Sequence, residues 1–172
     1  EYWFDALPHA TSGMVGKGNC SLAISIPADA RTLSYVIRAL DAHGNNASLT
    51  GSKDILDIEA PRIVDATGEP TTGDDLRVNF TATDNWNVTG TSFEYWFDGG
   101  IHVLAFNTSN LTVAVPSNAS MMHYRISARD AAAHETSIAV DRPVKDNDLP
   151  QLKDLTGVPS DGRPFWINLT MT

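Results

Sequence analysis

Apolar and polar residues alternate with a period of two along most of this chain, the mark of strands with one buried face. Seven such segments follow one another between residues 59 and 147. Arg62-Ile63-Val64-Asp65 predicts a short opening strand, A. Leu76, Val78, Phe80 and Ala82 predict the inward face of strand B, with Arg77, Asn79, Thr81 and Thr83 outward. Strand C is expected over Phe93 to Asp98. After the Gly99-Gly100 turn, a hairpin signal, a further strand covers Ile101 to Phe106. Leu111, Val113 and Val115 mark strand E. Tyr124, Ile126 and Ala128 mark strand F, and Ile138 and Val140 strand G. No stretch has a helical period. Seven short strands in about ninety residues predict an all-β fold, an antiparallel β-sandwich.

The pattern repeats. Glu1-Tyr2-Trp3-Phe4-Asp5 recurs word for word as Glu94-Tyr95-Trp96-Phe97-Asp98, 93 residues on. Beyond a four-residue indel the offset is 89, pairing Pro27 with Pro116, Tyr35 with Tyr124, Asp41 with Asp130, and Pro61 with Pro150. The same offset pairs Asp65, Thr67, Gly68, Asn79 and Thr81 with Asp154, Thr156, Gly157, Asn168 and Thr170. Ordered identities in this number mark a tandem repeat of about ninety residues. The chain then divides into 1–58, strands C to G of one repeat; 59–147, a complete repeat; and 148–172, strands A and B of a further one. The end pieces cannot bury their apolar faces alone and are expected to be filled by neighbours.

A tyrosine early in strand F, Tyr124 and Tyr35, is similar to the tyrosine corner of such sandwiches. With Asp65-Ala66-Thr67-Gly68, Ala82-Thr83-Asp84-Asn85 and Ala39-Leu40-Asp41-Ala42-His43-Gly44-Asn45, the pattern resembles the immunoglobulin-like repeats of archaeal and bacterial cell-surface proteins, S-layer-type glycoproteins of archaea above all. The resemblance covers the whole chain, on short motifs that cadherin-like and PKD-like modules share. It implies an extracellular, cell-surface protein of structural character.

Composition narrows this picture. The net charge of -9 disfavours nucleic acid as a partner. No apolar stretch approaches the length of a membrane helix. The single cysteine, Cys20, leaves no internal disulfide to support the fold. The chain opens in mid-repeat without an initiator Met, and it reads as part of something longer.

Asn-X-Ser/Thr occurs at Asn19, Asn46, Asn79, Asn87, Asn107, Asn110, Asn118 and Asn168, eight of the eleven asparagines. Roughly two are expected by chance at this Ser/Thr content. Asn79 and Asn168 fall on the outward side of strand B, Asn110 opposite Leu111 and Val113, and several others in turns. All eight are candidate N-glycosylation sites. The competing reading is that Asn and Thr favour turns and strand surfaces.

The repeat junctions read Asp57-Ile58-Glu59-Ala60-Pro61 and Asp146-Asn147-Asp148-Leu149-Pro150. The second resembles the acidic linker of cadherin-like repeats, which implies calcium. Asp57, Glu59, Asp84, Asp146 and Asp148 are the candidate ligands, and Asp41 or Asp130 at the end of strand F could converge with Asp84. Calcium takes six to eight oxygens and each junction offers about three carboxylates; the alternative is a solvated linker turned by proline.

Trp3, Trp96, Trp86 and the outward Trp166 could form a carbohydrate platform, against the commoner fate of aromatics as packing groups. The five histidines lack metal spacing. Asp98, Asp130 and Glu94 have no nucleophile or paired acid, and no phosphate loop or serine elbow occurs. The expectation is therefore a non-enzymatic structural glycoprotein forming a surface layer, sheath or filament by head-to-tail or tandem self-association. The alternative is an adhesin or carbohydrate-binding stalk module of a larger protein.

Overall fold

In a computed structural model, which describes residues 1–13, 18–108 and 110–172, the chain is all-β, with no helix among the described residues. Twelve strands follow in order: β1 Tyr2–Phe4, β2 Thr32–Leu40, β3 Asn46–Asp54, β4 Arg62–Asp65, β5 Asp75–Thr83 and β6 Val88–Phe97, then β7 Val103–Phe106, β8 Asn110–Ala114, β9 Met121–Asp130, β10 Glu135–Pro143, β11 Leu152–Asp154 and β12 Leu169–Met171. They form four sheets, ordered β1-β2-β3, β10-β9-β6-β7, β4-β5-β8 and β11-β12. The 59–147 stretch thus contains a four-stranded and a three-stranded sheet, as a β-sandwich requires.

By packing, the chain divides into two compact units. One comprises Glu1–Val64, Thr81–Ser92 and Ile126–Ile138; the other comprises Asp65–Phe80, Phe93–Arg125 and Ala139–Thr172. Five strands, β4, β5, β6, β9 and β10, each run across one of these limits.

The second unit carries the main aromatic core. β5 alternates strictly, with Leu76, Val78 and Phe80 buried and Arg77 and Asn79 exposed. It pairs antiparallel with β8, Leu76 opposite Val113 and Val78 opposite Leu111. Phe80 stacks on Phe93 at 6.4 Å, and Phe93 meets Tyr124 at 5.4 Å. Burial of such side chains supplies about 1.5–3 kcal/mol each. The Tyr124 hydroxyl donates to Asp65 Oδ2 at 2.6 Å and accepts from Arg142 Nε at 2.8 Å. This ties β9 to β4 through a carboxylate, where the expected tyrosine corner would use a backbone acceptor. Burial, and then the bond to Asp65, push the Tyr124 pKa up to about 12. Burial raises the Asp65 pKa, but bonds from Tyr124, Thr67 and Arg142 outweigh it and hold the carboxyl below its ordinary value.

The first unit is built on the β1-β2-β3 sheet, with β2 pairing β3 from Thr32–Asp54 to Leu40–Asn46. The hairpin turn is closed by Asp41, whose carboxylate accepts from the His43 and Asn45 backbone N–H groups and from Asn45 Nδ2, all at 2.8 Å. Gly44 takes a φ of 84° there. Residues 21–26 form no strand and have no regular structure. The reason is backbone pairing. β8 is held as a strand by β5, whereas among the described strands none pairs with residues 21–26. Leu22 and Ile26 are consequently exposed.

Two outcomes follow. Tyr124→Phe should cost about 1–3 kcal/mol of stability in urea unfolding, since it leaves Asp65 and Arg142 short of a partner. Because the Asp65 pKa is lowered, its stabilisation is present above the ordinary value of 3.8 and is lost as pH falls through the native value. Urea midpoints should therefore drop between pH 5 and about pH 2, and drop less in Asp65→Asn.

Candidate functional site

The first unit gathers its polar groups where the linker after β3 enters β4. Asp57, only 8% exposed, starts this linker. Its Oδ1 accepts from the Glu59 backbone N–H at 3.1 Å and lies 3.3 Å from Asn85 Nδ2. That amide nitrogen also donates to the Ala28 carbonyl at 2.8 Å. Asn85 sits in the loop after β5, shaped by Asp84, whose Oδ2 accepts from the Trp86 and Asn87 N–H groups at 2.9 and 3.2 Å. The Arg31 guanidinium lies 4.9 Å from the Trp86 ring centroid.

Asp130 closes the cluster from the end of β9, at 2% exposure. Its Oδ1 accepts from the His134 backbone N–H and its Oδ2 from His134 Nδ1, both at 2.8 Å. The bond to Asp130 raises the His134 pKa. Burial raises that of Asp130, and the His134 bonds more than offset it. Donor atoms of Asp57, Asp130 and His134 all lie within 4.8 Å of one another. Three oxygens, Asp57 Oδ2, Asp84 Oδ1 and Asn85 Oδ1, are buried without a hydrogen-bond partner. A buried acceptor left so costs about 1–3 kcal/mol.

Of the five acidic candidates, Asp57 and Asp84 belong to this junction, and Glu59 contributes its backbone N–H while its side chain is exposed. Asp146 and Asp148 belong to the other unit. There Asp146 Oδ1 accepts from the Asp148 N–H at 3.0 Å and lies 3.3 Å from the Thr72 hydroxyl. Asn147 Nδ2 donates to Asp74 Oδ2 at 2.8 Å. These contacts fasten the linker to the turn before β5. Sequence reasoning allowed for Asp130 and missed Asn85 and His134. Each lies beside an acid already singled out, Asn85 next to Asp84 and His134 one FG-turn after Asp130.

All eight sequon asparagines are exposed. The other three spend their Nδ2, the atom a glycan would occupy, on the fold: Asn45 on Asp41, Asn85 on Asp57 and Ala28, Asn147 on Asp74. Among the described residues, Nδ2 of Asn19, Asn46, Asn79, Asn87, Asn110, Asn118 and Asn168 donates to no protein group.

The tryptophans are partly engaged. Trp96 stacks on His102 at 4.0 Å and His123 at 5.3 Å, and Trp3 stacks on His9 at 4.0 Å. His102 and His9 are held by Glu94 and Glu1 at 2.9 and 2.6 Å. Trp166 is 76% exposed. Asp98 and Asp5, both with positive φ, cap turns, Asp98 by accepting from Ser120 and Met121 and Asp5 from Arg31 and Thr32. Cys20 is an exposed free thiol. Among the described residues, no helix is long and apolar enough to cross a membrane. No protein-family model matches the chain, and no curated protein matches it.

Asn85→Ala should lower stability by about 1–2 kcal/mol in urea unfolding, because Asp57 and Ala28 lose a buried donor. Asn87→Ala, at an exposed neighbouring sequon, should stay within about 0.5 kcal/mol.

Proposed function

We propose that this chain is a structural, non-catalytic segment of an extracellular glycoprotein, built from immunoglobulin-like repeats that complete one another into a surface layer, sheath or filament. The strand limits support the repeat. Displaced by 89 residues, β2 and β3 fall on β9 and β10, and β11 and β12 fall on β4 and the end of β5. The β1-β2-β3 order matches β6-β9-β10, and β11-β12 matches β4-β5.

The observation that carries the reading is a difference in burial between equivalent positions. In β5, Leu76, Val78 and Phe80 are 5%, 0% and 1% exposed. Their counterparts Phe165, Ile167 and Leu169 are 43%, 75% and 61% exposed. On the other side, Leu22 and Ile26 are exposed while their counterparts Leu111 and Val115 are half-buried and buried. The uncovered faces are complementary in register. Transposing the β5–β8 pairing places Ile167 opposite Leu22 and Phe165 opposite Ile24. The 151–171 strand pair of one unit therefore has the pattern to fill the 1–58 half-sandwich of the next. Burying three large apolar side chains this way supplies about 1.5–3 kcal/mol each. A contact of this kind is heterologous and runs on without closing.

The partition of asparagines supports glycosylation. Asn19, Asn46, Asn79, Asn87, Asn110, Asn118 and Asn168 stand in solvent with Nδ2 to spare, and the non-sequon asparagines are consumed by the fold. The exposure of Trp166 favours a second reading, a carbohydrate-binding stalk. In the transposed register Trp166 takes the outward place of Arg77 and stays accessible after complementation.

Peptide mapping of native protein by mass spectrometry, with negative-stain imaging, tests the proposal. Sugar on sequon peptides and none on Asn45, Asn85 or Asn147, together with layers or filaments, is the expected result. A bare monomer that is retained on a glycan array would replace it with the stalk reading.

A further inference from the structure

We propose that successive copies of this chain are held in register by a polar triad formed between them, Asp154 of one copy with Tyr35 and Lys53 of the next. The inference deepens the strand-complementation reading and rests on it. Its template is the Asp65–Tyr124–Arg142 triad inside the 59–147 stretch. There the Tyr124 hydroxyl donates to Asp65 Oδ2 at 2.6 Å. Arg142 donates to that hydroxyl at 2.8 Å and to the carboxylate at 3.3 Å. Displaced by 89 residues, Asp65 falls on Asp154, Tyr124 on Tyr35 and Arg142 on Lys53. The carboxylate thus belongs to β11, and the two donors belong to β2 and β3.

Asp154 is already shaped as Asp65 is. Its Oδ1 accepts from the Thr156 N–H at 2.8 Å, as Asp65 Oδ1 does from Thr67 at 2.9 Å. The Thr156 hydroxyl donates to the Asn168 carbonyl and accepts from the Asn168 N–H, as the Thr67 hydroxyl does with Asn79. The outer partner is what differs. Among the described residues Asp154 draws hydrogen bonds from Thr156 alone, and its side chain is exposed.

The other half is equally incomplete. Tyr35 is half-buried where Tyr124 is 1% exposed. Among the described residues its hydroxyl has no hydrogen-bond partner. The Tyr35 ring lies across Gly51, in the space that a Cβ there would fill. Val140 holds the equivalent position in the 59–147 stretch, which denies Tyr124 that resting place. Lys53 is exposed, two residues from Gly51 and so on the same face of β3.

The triad supplies what an apolar face cannot. A slip of two residues keeps Phe165, Ile167 and Leu169 on the inward face, so hydrophobic contact alone discriminates weakly against it. The same slip moves Asp154 by about 7 Å. It would then bury a carboxylate without a donor, a costly arrangement.

Sedimentation velocity of the full chain over a concentration series tests the proposal, with urea unfolding of dilute protein as the control for folding. Tyr35→Phe and Asp154→Asn should each weaken association about tenfold, the loss expected for a hydrogen bond to a charged group. The double variant should be no weaker than the worse single one, because both changes remove one contact. Urea midpoints should not move in Tyr35→Phe, in contrast to Tyr124→Phe, since this hydroxyl has no partner within its own copy. Association of wild-type strength in both single variants, or losses that add, would overturn the triad and leave strand complementation standing. No association of the wild-type chain would overturn complementation, and the triad with it.

Discussion

The pairing of β5 with β8 is the contact on which the rest depends. It closes the three-stranded sheet from Asp75–Ala114 to Asn79–Asn110 and lays Leu76, Val78 and Phe80 over the core that Phe93 and Tyr124 occupy. Where β5 is present its partner is a strand and the apolar face is covered. At residues 21–26, where no strand pairs, the chain has no regular structure and Leu22 and Ile26 are exposed. A strand edge and an apolar face are both costly to leave open. The proposed complementation would account for the irregular stretch and the exposed side chains together. The same logic explains the far end, where β11 and β12 pair with each other while Phe165, Ile167 and Leu169 remain uncovered.

The acidic character of the chain has a local cause. Asp41, Asp57, Asp65, Asp84, Asp146 and Asp154 each accept the backbone N–H two residues on, forming Asx turns at strand ends. Asp5 and Asp98 cap turns in a related way across a longer span. Such aspartates spend one oxygen, or both, on backbone donors, which leaves little freedom for acid–base chemistry. The junction at Asp57 is the exception, because oxygens of Asp57, Asp84 and Asn85 there lack any donor.

Period-two alternation made most of this fold readable in advance. Strand A was expected over residues 62–65 and lies there, and of the expected inward residues Leu76, Val78, Phe80, Val113, Val115, Tyr124, Ile126 and Ala128 are buried, with Ala82 and Leu111 half-buried. β6 was misjudged in length. It begins at Val88, because Thr89 Oγ1 bonds the carbonyls at the end of β9, a long-range contact without a periodic signature. The same limit applies to the junction. Spacing pointed to its acids, but convergence of Asn85 and His134 on Asp57 depends on how loops meet in space.

The central claim is that one unit's 162–171 segment completes the next unit's 21–26 segment in the register of β5 on β8. A disulfide reports that register directly. Asn79 opposes Asn110, so Asn168 should oppose Ser21, at the Cα separation of about 4.5–5.5 Å that a disulfide spans. In a Cys20→Ser background, the double variant Ser21→Cys/Asn168→Cys should oxidise to a ladder of covalent oligomers, reversed by reductant. The pair Ser21→Cys/Trp166→Cys, two residues out of register, should cross-link far less. Monomers from both variants, or ladders of equal strength, would contradict strand complementation and leave the exposed faces to a different partner.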